Sequence, residues 1–238
     1  MNLVLLHDED FVSPNCVTLR DHRAKHLRQV LNVKPGQDVR VGRLGGRLGY
    51  GTVKVLSPVA IDLQVRLCDN PPEPLPVTVI MALPRPKVCK RLLQEITAMG
   101  IKKIVLLNSW RVEKSYWQSP LLQPPALREQ VYRGLEQARD TILPCIELQK
   151  RFKPFVEDIL PELAEGTRAL VADPQARQAC PSQISGPVTL AIGPEGGFTP
   201  YEISRLQAAG LQSVHLGRRP LRVETAVPAF LGRLHPCS

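Results

Sequence analysis

Within residues 1–70, apolar and polar positions alternate in three short runs: Val39-Arg40-Val41, Tyr50 to Leu56 and Val59 to Leu67. A period of two is the pattern of half-buried strands. Between the first two runs lies Gly42-Arg43-Leu44-Gly45-Gly46-Arg47-Leu48-Gly49, whose glycines tolerate the positive φ of a hairpin loop. Ahead of them, Asp21 to Val33 predicts one helix, with Leu27, Val30 and Leu31 on its apolar side and Pro35-Gly36 ending it. The N-terminal segment therefore reads as a small β-rich domain, 1–70. Residues 71–76 carry four prolines in six positions, which predicts an extended linker.

The pattern changes beyond the linker. Val77 to Leu83 is an unbroken apolar run of strand length, after which Val88, Leu92, Leu93, Ile96 and Met99 recur at helical spacing until Gly100. Ile101 to Leu107, Arg168 to Ala172 and Val188 to Ile192 read as further strands, and Pro125 to Ala138 and Pro154 to Ala164 as helices. Alternating strands and helices predict an α/β domain, 77–238, built on a mostly parallel sheet covered on both faces.

Composition narrows the partners. The 238 residues carry a formal charge of +9, which suits a polyanion. No apolar run approaches the roughly 20 residues that span a bilayer. The first ten residues turn acidic where a signal peptide needs a longer apolar stretch, so a cytoplasmic protein is expected. Cysteines 16, 68, 89, 145, 180 and 237 are scattered, with no paired Cys-x-x-Cys, so neither disulfides nor zinc are expected. His22 and His26 share a helix face, but Arg23, Lys25 and Arg28 crowd the same turns, and a basic helical surface fits better than a metal site. A Gly-x-Gly-x-x-Gly after an early strand and a Gly-Lys-Ser/Thr are both missing, which removes support for dinucleotide and P-loop chemistry.

The candidate chemistry lies near the C-terminus. Gly193-Pro194-Glu195-Gly196-Gly197-Phe198-Thr199 and Leu216-Gly217-Arg218-Arg219-Pro220-Leu221-Arg222-Val223-Glu224-Thr225-Ala226 each follow a strand and precede a helix. Two such loops from neighbouring parallel strands would meet at the carboxyl ends of the sheet, where open α/β sheets bind ligands. Taken alone, either is equally a tight strand-to-helix turn. Together, in this order and separation, they resemble the RsmE family of SPOUT-class methyltransferases, which use S-adenosylmethionine to methylate N3 of a uridine in small-subunit ribosomal RNA. The first loop is similar to the family's G-P-E-G-G, with Tyr201-Glu202-Ile203 following in place. The second matches L-G-x-R-x-L-R-x-E-T-A at Leu216, Gly217, Arg219, Leu221, Arg222, Glu224, Thr225 and Ala226.

The resemblance implies a PUA-like RNA-binding barrel over 1–70, where His26-Leu27-Arg28-Gln29-Val30-Leu31 is similar to an H-x-x-x-V-L/R segment. It also implies a C-terminal trefoil knot and a homodimer with the cofactor pocket close to the subunit interface. The cofactor residues expected on this basis are Leu170, Ile192, Gly193, Pro194, Glu195, Gly196, Gly197, Leu216, Gly217, Leu221, Thr225 and Ala226. Arg222 is the leading catalytic candidate, because a permanent cation favours the deprotonated uracil. Glu224 would orient it or take the proton; an ordinary surface ion pair is the competing reading. Thr225 is expected to cap the last helix, with Pro228 inside its first turn.

Residues 85–118 hold eight Lys/Arg against two acids. Arg85, Lys87, Arg111 and Lys114, with Arg23, Arg28 and Arg219, are the expected RNA contacts, and Trp110, Tyr116 and Trp117 are available for stacking or for packing between subunits. Lys90, Arg91, Lys102 and Lys103 read as a solvated helix face. The chain departs from the family pattern at Arg218, in place of proline, and at Pro220, in place of an aliphatic residue. In Glu136-Gln137-Ala138-Arg139 the arginine is displaced by one position, and Pro84-Arg85-Pro86-Lys87 lacks a glycine. These departures leave two further readings open: an RNA-binding assembly factor without catalysis, and a methyltransferase acting on another RNA nucleotide.

Overall fold

A computed structural model describes residues 2–235, which fall into two compact units. The first runs up to Glu73 and also takes in Tyr132–Leu143; the second holds Pro74–Val131 and the chain from Pro144 onward.

The first unit contains β1 (Val4–Leu6), β2 (Phe11–Ser13), β3 (Cys16–Leu19), α1 (His22–Gln29), β4 (Asp38–Arg43), β5 (Leu48–Leu56) and β6 (Ile61–Asp69). They form one sheet in the order β1-β4-β5-β6-β3-β2, antiparallel except for the β1–β4 pair. Ile61, Leu63 and Val65 point into the core while Gln64 and Arg66 face solvent, the alternation expected of a strand covered on one face. Strands β1 to β3 span only three or four residues, too few for a period of two to stand out. Val59 falls in a turn closed by Ser57 and Ala60, so β6 begins at Ile61. Helix α1 stops at Gln29, short of the expected Val33; Val30 and Leu31 are exposed, and Asn32 takes a left-handed φ of 49°.

Tyr132–Leu143 joins this unit through side-chain and backbone contacts invisible to periodicity. Asn2 N donates to Glu136 O (3.3 Å) and Gly45 N to Thr141 O (2.8 Å). Thr141 packs so closely on β4 that a Cβ at Gly42 would lie 2.5 Å from its Cγ2.

The second unit contains β7 (Leu75–Ala82), α2 (Pro86–Ala98), β8 (Ile101–Leu107), the first half of α3 (Pro124–Ala138), β9 (Cys145–Gln149), α4 (Phe152–Pro154), α5 (Leu160–Ala164), β10 (Arg168–Ala172), β11 (Val188–Ile192), α6 (Pro200–Ala208), β12 (Gln212–Val214) and α7 (Val223–Leu234). Its sheet has the order β12-β10-β11-β7-β8-β9, and every pairing is parallel. All five residues of β11 are buried, as are Val79 to Ala82 of β7; a sheet buried on both faces selects continuous apolar runs. Leu75 already belongs to β7, which shortens the expected linker.

The helix expected over Pro154 to Ala164 is broken by a π turn, Phe155–Ile159. Pro161 has no N–H to offer the Glu157 carbonyl, and Leu160 N instead bonds Phe155 O, five residues back. Among the described residues no helix is long and apolar enough to cross a membrane. Cys16, Cys68, Cys89, Cys145 and Cys180 are free thiols, and Cys237 lies outside the described residues. Burial pushes the Cys89 thiol up to about 12.

Candidate functional site

The carboxyl ends of β10, β11 and β12 surround a cavity of about 500 Å³, within the range of small-molecule and cofactor sites. The two C-terminal loops do converge on it, but not as neighbours: β10 lies between β11 and β12 in the sheet. Its own loop, Ala172 to Gln175, supplies a third wall that the motif reading missed. Its one sequence signal is Asp173-Pro174 directly after a strand, a turn signature. Within the loop, Gln175 N donates to Asp173 Oδ1 (2.9 Å), while Asp173 N bonds Val214 O (2.9 Å) and ties the loop to β12.

Ile192, Gly193, Pro194, Glu195, Gly196, Gly197, Leu216, Gly217, Leu221 and Ala226 all line the cavity. Leu170 does not: it is fully buried within β10, in the sheet interior. Thr225 is exposed on the first turn of α7 and is also absent from the lining.

The glycine loop closes on itself. Gly197 N bonds Pro194 O (2.7 Å), and Gly197 has a φ of 71°, where a side chain would be strained. At Gly193 a Cβ would sit 2.7 Å from Phe198 N, so only hydrogen fits. A guanidinium N–H of Arg111 donates to Gly196 O from the loop after β8. Thr199 then caps α6: its hydroxyl accepts from Glu202 N (3.2 Å), and Glu202 Oε2 accepts from Thr199 N (2.8 Å), a reciprocal capping box. The other oxygen, Glu202 Oε1, accepts the backbone N–H of Trp110 (2.7 Å). Glu202 is 3 % exposed, so one buried carboxylate fixes the glycine loop relative to the loop after β8.

The second loop carries the charge. Gly217 N donates to His215 Nδ1 (2.9 Å), and the chain runs exposed through Arg218, Arg219, Leu221 and Arg222. Arg219 lines the cavity; Arg222 lies between the lining residues Leu221 and Val223. Arg222 itself is the N-cap of α7, which displaces Thr225 from the expected capping role. Pro228 lies beyond the first turn, inside the helix, where its missing N–H leaves the Glu224 carbonyl without a helical partner. No ion pair joins Arg222 to Glu224 among the described residues, and Glu224 Oε2 is buried without a hydrogen-bond partner there.

The expected RNA contacts separate into distinct environments. Arg23 is 4 % exposed and saturated: it pairs with Asp10 (2.7 Å) and Asp21 (2.8 Å) and donates to Leu5 O (2.6 Å). Arg23 is therefore removed from the RNA-facing set, because its charge is neutralised inside the first unit. Arg28 donates to Ser57 O (2.8 Å) and keeps partial exposure. Arg85 N donates to Glu195 Oε1 (3.2 Å) from the cap of α2, while Lys87, Arg111 and Lys114 are exposed. Trp117 Nε1 donates to Asn108 Oδ1 (2.8 Å) and packs on the core. The Tyr116 phenol is raised by desolvation and by Glu113 beside it. The displaced Arg139 is not on α3 at all; it follows the last helical residue with a left-handed φ of 56°. Among the described residues no group of three or more His, Cys, Asp or Glu side chains can hold a metal ion.

An all-parallel sheet with a glycine-lined cavity at its carboxyl end defines a ligand-binding α/β domain, and among known proteins the fold is that of SPOUT-class RNA methyltransferases. The fold is similar to that in the crystal structure of a ribosomal RNA small subunit methyltransferase E from Neisseria gonorrhoeae bound to S-adenosyl methionine, with a TM-score of 0.75 over 98% of this chain and 95% of that one, at 24% identity. The RNA methyltransferase domain family matches residues 71–235. The ribosomal RNA small subunit methyltransferase E of Treponema pallidum is 31% identical over 96% of this chain and 88% of its own length. That of Borreliella burgdorferi, methyltransferase E 1, is 27% identical over 96% and 95%. The chain belongs to the ribosomal RNA small subunit methyltransferase E family.

Proposed function

We propose that this protein transfers the methyl group of S-adenosylmethionine to N3 of a uridine in small-subunit ribosomal RNA. The observation that carries the reading is the convergence of the glycine loop, the Ala172–Gln175 loop and the arginine-rich loop on one cavity of cofactor size. S-adenosylmethionine supplies a methyl group activated by a sulfonium. Gly193 lets the loop fold tightly on itself and Gly197 takes the left-handed φ that closes its turn, so the cradle is shaped by backbone, and Leu216 and Leu221 offer apolar contact to an adenine.

N3 of uridine is a weakly acidic imide and must lose its proton before attack on the methyl carbon. Arg222, exposed at the start of α7, holds the uracil carbonyls and stabilises the negative charge that spreads over them. Glu224, on the first turn of α7 and not ion-paired with Arg222, is assigned the proton in this reading rather than the orienting role. Arg219, with Arg111 and Lys87, meets phosphates; the first unit acts as a PUA-like grip on the RNA. The trefoil knot, the homodimer and a cytoplasmic location belong to the same proposal.

The test is calorimetric titration with S-adenosylmethionine, paired with nucleoside mass spectrometry of small-subunit ribosomal RNA after incubation with enzyme and cofactor. N3-methyluridine formed by the wild type, and lost in Arg222→Ala with cofactor affinity held within about threefold, supports the assignment. Another methylated nucleoside overturns the uridine target. No cofactor binding at millimolar concentration overturns methyl transfer and favours an RNA-binding assembly factor.

A further inference from the structure

Trp110 is 85 % exposed, more than any other large apolar side chain among the described residues. The chain's second tryptophan shows what ordinary placement looks like: Trp117 packs on the core and satisfies its indole N–H on Asn108. Trp110 is held just as firmly, but by its backbone, through the 2.7 Å bond from its N–H to the buried Glu202 carboxylate. The fold thus fixes the main chain of Trp110 and leaves its ring in water. A second exposed aromatic, Tyr201, stands beside Glu202 at the start of α6 and is 59 % exposed. On the other side, Arg111 reaches the carbonyl of Gly196 in the cofactor loop. A flat, exposed ring is therefore positioned one residue from a side chain that lines the cavity.

We propose that Trp110 is a stacking subsite for a nucleobase of single-stranded RNA, set beside the cavity by Glu202 acting as a positioning residue. The inference rests on the RNA methyl-transfer reading and extends it to the way the base is presented. A base modified at a ring nitrogen of its pairing edge must leave the helical stack, and an aromatic face returns part of what it loses. The surroundings suit an anion: Arg85, Lys87, Arg111 and Lys114 are all exposed on segments that follow β7 and β8 at the carboxyl end of the sheet. An apolar protein partner would not call for that density of cations, whereas phosphates flanking a stacked base do.

Stacking on one aromatic ring changes affinity by roughly 5- to 150-fold on truncation to alanine. The experiment follows tryptophan fluorescence of the full chain during titration with oligouridylate, comparing the wild type with Trp110→Phe and Trp110→Ala. Because Trp117 remains in both variants, the signal missing from Trp110→Phe belongs to Trp110. Quenching in the wild type and its absence in Trp110→Phe, with affinity for end-labelled oligouridylate, read by the anisotropy of the label, near wild type in Trp110→Phe and about tenfold weaker in Trp110→Ala, supports the subsite. S-adenosylmethionine affinity stays unchanged throughout. Equal oligouridylate affinity in Trp110→Ala, or wild-type fluorescence that ignores the oligonucleotide, overturns it. So does wild-type fluorescence that changes on dilution without RNA, which would assign the ring to packing between two copies of the chain. Failure of the methyl-transfer reading shows separately, as wild-type protein that stacks oligouridylate but does not bind the cofactor.

Discussion

A single methyl group added at Gly193 tests whether the shape of the glycine loop makes the cofactor site. The Cβ of Gly193→Ala would lie 2.7 Å from Phe198 N, 3.0 Å from the Gly197 carbonyl carbon and 3.1 Å from Gly197 Cα. All three are backbone atoms of the same tight loop, so they cannot swing aside as the end of a side chain can. Relief requires opening the Pro194–Gly197 turn, and forcing an extra carbon into packed surroundings costs about 1–3 kcal/mol. If the displaced loop is the cofactor cradle, that cost appears in binding as a loss of roughly 5- to 150-fold. In a chain of this size the melting temperature falls by about 2–12 °C. Gly196→Ala is the matched control: its Cβ meets Arg111 Cδ at 3.1 Å, part of a flexible side chain that can yield. Isothermal titration with S-adenosylmethionine, alongside thermal melts, should show Gly193→Ala strongly weakened and Gly196→Ala within about threefold of the wild type. Wild-type affinity in Gly193→Ala, or a larger loss in Gly196→Ala, would refute the claim that backbone closeness at Gly193 builds the site.

Two further changes probe the supports. Glu202→Ala strips the acceptor from Trp110 N, Thr199 N and the Thr199 hydroxyl at a site only 3 % exposed, and should cost about 3 kcal/mol. Differential scanning calorimetry should record a fall of about 6–12 °C. Arg23→Met leaves Asp10, 7 % exposed, without its counter-charge and should destabilise the first unit by about 3–5 kcal/mol, measured by urea unfolding. For Asp21, burial raises the carboxyl pKa, but hydrogen bonds and charge from Arg23 outweigh it and hold it below the usual 3.8. A depressed carboxyl contributes stability above its unfolded value and loses it as pH falls through the folded one. The gap between wild type and Arg23→Met should therefore be widest above about pH 4 and narrow below it.

Much of the second unit was legible from its apolar runs. A parallel sheet buried on both faces admits few polar residues, so Val77 to Leu83, Ile101 to Leu107 and Val188 to Ile192 announce themselves with no tertiary information. The glycine loop was legible because its conformation depends on the residues themselves: Gly193 and Gly197 are needed for local steric reasons, and Thr199 with Glu202 forms a cap over three residues. Arg222 and its neighbours have no period to mark them, and only their resemblance to a known motif points to them.

Everything that depends on distant parts of the chain meeting was decided by tertiary structure. The insertion of β10 between β11 and β12 follows from sheet order, which no local pattern encodes, and it brings in the Ala172–Gln175 wall. The fate of a charge is equally non-local. Arg23 and Arg28 read alike on one basic helix, yet Arg23 meets Asp10 from another element and is neutralised in the core, while Arg28 stays near the surface. The same holds for the tryptophans: Asn108 and the core hold Trp117 half-buried, and Glu202, 92 residues away from Trp110 in sequence, fixes that backbone and leaves its ring in solvent. Composition and spacing set which groups are available; burial and pairing, which depend on the whole chain, set which remain free to act.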